Sequence, residues 1–190
     1  MSTALSGALS PDNALVIPLR MTAVALVLPV LIATAGCGLL STAASGSRIT
    51  MTSESMKPTI EMGEHLTVRR TADDYVPRLG EVIAFIPDGW SGITPNAMHV
   101  SRVIGVPGST VACCDSQGRL QVNGKALDEP YVAALPASQL QFSVQVPPGR
   151  LWVMSDNRHI ALDSRAHRAD PGQGTIAVSD VSGVVSPPSQ

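Results

Sequence analysis

Lysine is nearly absent from this chain: Lys57 and Lys125 are the only two in 190 residues, although arginine is plentiful. Any reaction that needs an amine has only these two places to find one. Aromatic residues make up 3% of the sequence, which leaves little for stacking on bases or sugars. No long run of one charge occurs and the formal net charge is −2, so nucleic acid is excluded as a partner. The three cysteines and four histidines show no metal-ligand spacing, and neither a metal nor a cofactor is expected. Cys113 and Cys114 are adjacent. Their Cα atoms would stand ~3.8 Å apart across a trans peptide, below the usual disulfide range. They read as ordinary strand residues of opposite facing.

Charge is missing most completely from residues 21–40, MTAVALVLPVLIATAGCGLL. Twenty helical residues span roughly 30 Å, about one bilayer core, and a kink at Pro29 is tolerated in a membrane. Arg20 precedes the run and the next basic residue is Arg48. The positive-inside rule then puts residues 1–20 in the cytoplasm and the rest of the chain outside. A signal peptide cut after Ala33-Thr34-Ala35 and a lipoprotein site ending at Cys37 are competing readings. The absence of any polar face argues against a buried soluble helix. We take 21–40 as an uncleaved single-pass anchor in the plasma membrane, with the lipid bilayer as its partner.

Residues 41–47, STAASGS, read as a linker. From residue 48 the pattern becomes short β-type runs: 48–52, 64–70, 81–87, 99–105, 109–114, 118–124, 142–146, 149–155, 175–179 and 180–185. Proline and glycine turns separate them, and Asn123-Gly124 is a hairpin signal. No sustained helical period interrupts them. The expectation is a mainly antiparallel β domain over 48–185, a small barrel or a pair of sheets. Residues 125–141 form a surface excursion, and 186–190 a disordered tail.

The chemistry centres on TSESMKPTI, 52–60. A turn before Pro58 can present a serine hydroxyl, with a neighbouring N–H or hydroxyl as oxyanion donor. Serine-rich turns are common, so spacing alone says little. Several segments, taken in order, are more specific. SESMKPTI (53–60), RLGEVIAF (78–85), HVSRVIGVPGS (99–109), VNGKALDEPY (122–131) and SDNRHIALDSR (155–165) resemble the boxes of type I signal peptidases, over about residues 50–185. The resemblance implies an antiparallel β-sheet, barrel-like signal peptidase fold behind one N-terminal transmembrane helix. It also implies a serine endopeptidase that removes signal peptides from exported preproteins after small residues. Signal peptides are then its partners, and the secretion translocon a further one. Carried over by motif, Ser55 is the nucleophile, Ser53 contributes to the oxyanion hole, and Asp163 and Arg165 are paired charges holding the last box.

The departures fall on the general base. The family places a neutral lysine immediately before Arg-Val-Ile-Gly; here Arg102-Val103-Ile104-Gly105 follows Ser101. The serine that orients that lysine is replaced by Ala161. Ser155 stands at a glycine, Ser109 at an aspartate, and Glu54 where glycine is common. His99 lies two residues before Ser101 and shares its strand face. An imidazole is a competent base near neutrality, and Asp163 would orient it in a Ser-His-Asp-like arrangement. The plainer reading of His99 is a polar residue on a strand near a cleft. His159 is a weaker choice of base. Two functions follow: a working peptidase using His99 or another base, or a non-catalytic homologue that binds signal peptides or regulates an active paralogue.

Overall fold

A computed structural model describes residues 46–186. The expected anchor at 21–40, the cytoplasmic segment before it, most of the linker and all but the first residue of the tail lie outside those residues. Among the described residues no helix is long and apolar enough to cross a membrane.

Eleven strands form, joined by turns and one short 3₁₀ segment, Val178–Asp180. They are β1 (Gly46–Thr50), β2 (His65–Arg70), β3 (Val82–Phe85), β4 (His99–Gly105), β5 (Thr110–Cys113), β6 (Gln121–Val122), β7 (Lys125–Ala126), β8 (Phe142–Gln145), β9 (Arg150–Met154), β10 (Ile176–Ala177) and β11 (Val181–Ser186). Every ladder is antiparallel. Of the two expected architectures, a pair of sheets forms: a seven-stranded sheet in the order β1-β2-β11-β3-β4-β9-β10, and a four-stranded sheet in the order β7-β6-β5-β8. β1 begins two residues inside the expected linker.

The large sheet is covered on both faces, so its central strands are apolar throughout rather than alternating. On one face Val82, Ala84 and Val100 pack with Met51, Met56 and Ile60. Further along, Ile104, Trp152 and Met154 meet Val111, Phe142 and Val146 of the small sheet. The opposite face carries Ile83, Phe85, Val103, Leu151 and Val153 with Trp90. Gly105 makes the contact between the sheets close: a Cβ there would stand 2.6 Å from Val111 Cγ2 and 2.8 Å from Val146 Cγ2. The β4–β9 register shifts at this point.

The cysteines depart from expectation. The peptide between Cys113 and Cys114 is cis and their sulfurs are bonded to each other. The expected opposite facing assumed a trans peptide; instead both sulfurs lie 3.8 Å from the Ser138 carbonyl oxygen.

Candidate active site

Pro58 follows a cis peptide, and residues 53–60 turn tightly after Met51 leaves the β1 side. Buried Met56 and Ile60 anchor this turn in the core while Ser53 stays exposed and Ser55 half-buried. The Ser53 hydroxyl donates to Ser55 Oγ at 3.0 Å. The turn is fastened to the last box: Asn157 N–H donates to the Ser55 carbonyl at 2.9 Å and Asn157 Nδ2 to the Glu54 carbonyl at 3.1 Å. Thr59 donates its hydroxyl to Asp156 Oδ2, and Arg102 grips the same carboxylate through Nε and Nη2. Asp156 is fully buried. A buried charge must be paired and hydrogen-bonded to be tolerated, and this one joins the serine turn, β4 and the segment after β9.

A cleft of about 540 Å³ opens above these contacts. Ser53, Ser55, His99, Ser101, Ser155 and Ala161 all line it, from segments far apart in sequence. His99 and Ser101 share the wall, as the period of two on β4 requires. Exposed Met98, Ile160 and Leu162 make the mouth apolar.

The titratable groups of the cleft are few: Glu54 and His99 are the ones among its described lining residues. Glu54 turns to Lys57, whose Nζ donates to Glu54 Oε1 at 2.8 Å and lies 3.1 Å from Glu61 Oε2. These carboxylates raise the Lys57 pKa, the Glu54 hydrogen bond most. Lys57 is therefore held protonated and cannot act as a base. His99 moves the other way: burial lowers its pKa and nearby His167 lowers it further. It packs against Phe85 and Trp90, ring centroids 5.8 and 6.0 Å away, and its buried Nε2 has no hydrogen-bond partner among the described residues. His167 stacks on the Trp90 ring at 4.2 Å and bonds Asp170 through Nδ1.

Two expectations need correction. Asp163 does not orient His99. Its Oδ1 accepts from Arg165 Nε and N–H, and its Oδ2 from Arg165 Nη2 and the Ser155 N–H. That leaves the carboxylate fully engaged, and no bond joins His99 to Ser55 or Asp163 among the described residues. The Asp163–Arg165 pair itself is buried, Asp163 fully and Arg165 nearly so. Exposed His159 does not line the cleft.

Sequence reasoning missed two contacts. Ser101 Oγ and Ser155 Oγ are 2.9 Å apart and both buried, so two separate departures from the resemblance are one contact. Arg158 donates two hydrogen bonds to Glu129, and Arg102 lies 3.8 Å over the Tyr131 ring, pinning the 125–141 excursion against the last box. The proximity of Glu129 and Tyr131 in DEPY to a motif already matched was the available signal.

Two hydrogen-bonded serine hydroxyls thus open into a cleft that an imidazole also lines, on a turn fixed by backbone hydrogen bonds. Comparison with known proteins gives the family. The sequence profile described as signal peptidase, peptidase S26, matches residues 20–188. Signal peptidase I of Mycobacterium tuberculosis is 34% identical over 189 aligned positions, covering 73% of this chain and 64% of that one. Signal peptidase I T of Bacillus subtilis is 36% identical over 140 positions, covering 68% and 66%. A crystal structure of a signal peptidase I from Enterococcus faecalis aligns with a TM-score of 0.46 at 27% identity, covering 59% of this chain and 98% of that one. The chain belongs to the signal peptidase family, and the matched region spans about two-thirds (64%) of the mycobacterial relative's length.

Proposed function

We propose that this chain is a membrane-anchored serine endopeptidase of the signal peptidase type, removing signal peptides from exported preproteins after small residues. The observation that carries the reading is the hydrogen-bonded Ser53–Ser55 pair opening into the cleft that His99 also lines. Ser55 Oγ attacks the scissile carbonyl, and Ser53 turns its hydroxyl to the developing oxyanion. His99, kept neutral by burial, takes the Ser55 proton and returns it to the leaving amine. That transfer needs the substrate to draw the imidazole toward Ser55, since catalytic hydrogen bonds commonly tighten only in the substrate complex. Asp163, paired with Arg165, braces the cleft wall by accepting the Ser155 N–H. The apolar mouth at Met98, Ile160 and Leu162 suits the apolar segment of a signal peptide.

A second reading has its own observation. Ser101 is spent on Ser155 and Ala161 has no hydroxyl, so nothing rebuilds an amine base. On that reading the cleft holds a signal peptide without cutting it, or regulates an active paralogue.

Cleavage of a preprotein with an Ala-x-Ala site, in detergent, separates the two. The enzyme reading expects cleavage by the wild type, lost in Ser55→Ala and in His99→Ala. Retained cleavage in Ser55→Ala sinks it, and binding without wild-type turnover favours the second reading.

A further inference from the structure

We infer that Ser155 is a positioning residue that locks the cleft in its lysine-free form, so that Ser101 and Ser155 act as one unit. The site assigned above is taken as the starting point, but turnover is not needed for the lock to exist.

The two hydroxyls sit on neighbouring strands. β4 and β9 pair with Arg102 opposite Met154 and Val103 opposite Val153, so Ser101 and Ser155 continue the same register. Their side chains point into one face, and the exposures of 4% and 2% leave each with little access to solvent. The 2.9 Å bond is the only hydrogen bond either hydroxyl makes among the described residues. A buried hydroxyl left without a partner is destabilising, so each serine makes the other tolerable. Loss of both hydroxyls therefore costs less than the sum of the two single losses.

The same geometry bars a longer side chain. A methylene placed where Ser101 Oγ lies would stand near 2.9 Å from Ser155 Oγ. Carbon and oxygen rest comfortably only at roughly 3.3–3.6 Å. Moving away from the clash would leave the Ser155 hydroxyl buried and unpaired. An amine introduced at 101 is therefore turned out of the cleft unless Ser155 is removed as well. With glycine at 155 both obstacles go, and the side chain can run along the cleft wall toward Ser55.

The test uses the full chain in detergent. Ser101→Lys and the double variant Ser101→Lys/Ser155→Gly are dimethylated with a carbon-13 label, and the amine at 101 is titrated by NMR. The single variant is expected to titrate close to the free lysine value of about 10.4. The double variant should titrate at least one unit lower, because its amine enters the part-buried cleft. Equal titration in the two overturns the inference. A second measurement stands if Ser101→Lys fails to fold: Ser101→Ala, Ser155→Ala and their combination remove atoms and add none. Each single variant should lower the melting temperature by about 2–4 °C, and the pair by less than the sum. Simple additivity overturns the inference. Preprotein cleavage is read on the same samples. Its absence from the wild type counts against the proposed enzyme and leaves the lock standing.

Discussion

His99 is the residue whose chemistry the fold has altered most usefully. Burial and the neighbouring His167 hold its pKa below the ordinary imidazole value of about 6.5. In the window just under that value the unfolded chain binds a proton that the folded chain refuses. Stability therefore rises with pH there. It is complete above about 6.5 and is lost as pH falls toward the folded pKa. Urea midpoints should fall for the wild type between neutral pH and mildly acid pH, and fall less for His99→Gln. His167→Gln should raise the His99 value, read from the ring-proton shifts. Lys57 offers the contrasting case. Its amine stays protonated between Glu54 and Glu61, so Lys57→Met should leave preprotein cleavage at the wild-type rate. At this scale the sequence named the lining residues well. The motifs placed Ser53, Ser55, Ser101 and Ala161, and the strand period placed His99 beside Ser101. It could not show what each side chain is bonded to. Ser101 and Ser155 are separated by 54 positions and meet only because β4 and β9 are neighbours. Asp163 was available as a partner for His99 on paper, but local geometry gave it to Arg165.

Strands were the legible part of the fold, because short apolar runs bounded by proline and glycine leave few alternatives. The run 99–105 matches β4 at both ends, whereas 118–124 shrinks to the two residues of β6. The missing strand, β7, is the two-residue return of the hairpin signalled by Asn123-Gly124. It lacks the apolar alternation that marks a strand, since both of its residues are exposed. Contact between the sheets is where a single methyl would be felt. Gly105→Ala must push against Val111, Val146 and Trp152, and should cost about 1–3 kcal/mol in urea unfolding. The segment after β9 depends instead on charge. Asp163→Asn leaves buried Arg165 without its counter-ion and the Ser155 N–H with a weaker acceptor. A loss of about 3–5 kcal/mol is expected in the same measurement.

For the molecule as a whole, the excursion at 125–141 is tied to the centre more firmly than its composition suggested. Its Glu129 lies against Arg158, whose Nε also holds the Ser155 carbonyl, and its Tyr131 covers Arg102. Glu129→Gln should loosen it, seen as faster limited proteolysis within 125–141 while the sheets stay resistant. The ladder order has a consequence for synthesis. β11 is the last described strand to leave the ribosome, yet it pairs with β2 on one side and β3 on the other. Until it arrives, β1 and β2, with the serine turn between them, have no ladder to the rest of the sheet. Asn157 and Asp156, which fasten that turn, are also made about a hundred residues after it. A half-made chain thus carries its serines on a detached hairpin with no cleft around them. Birth order itself keeps the site unassembled until the last strand is made.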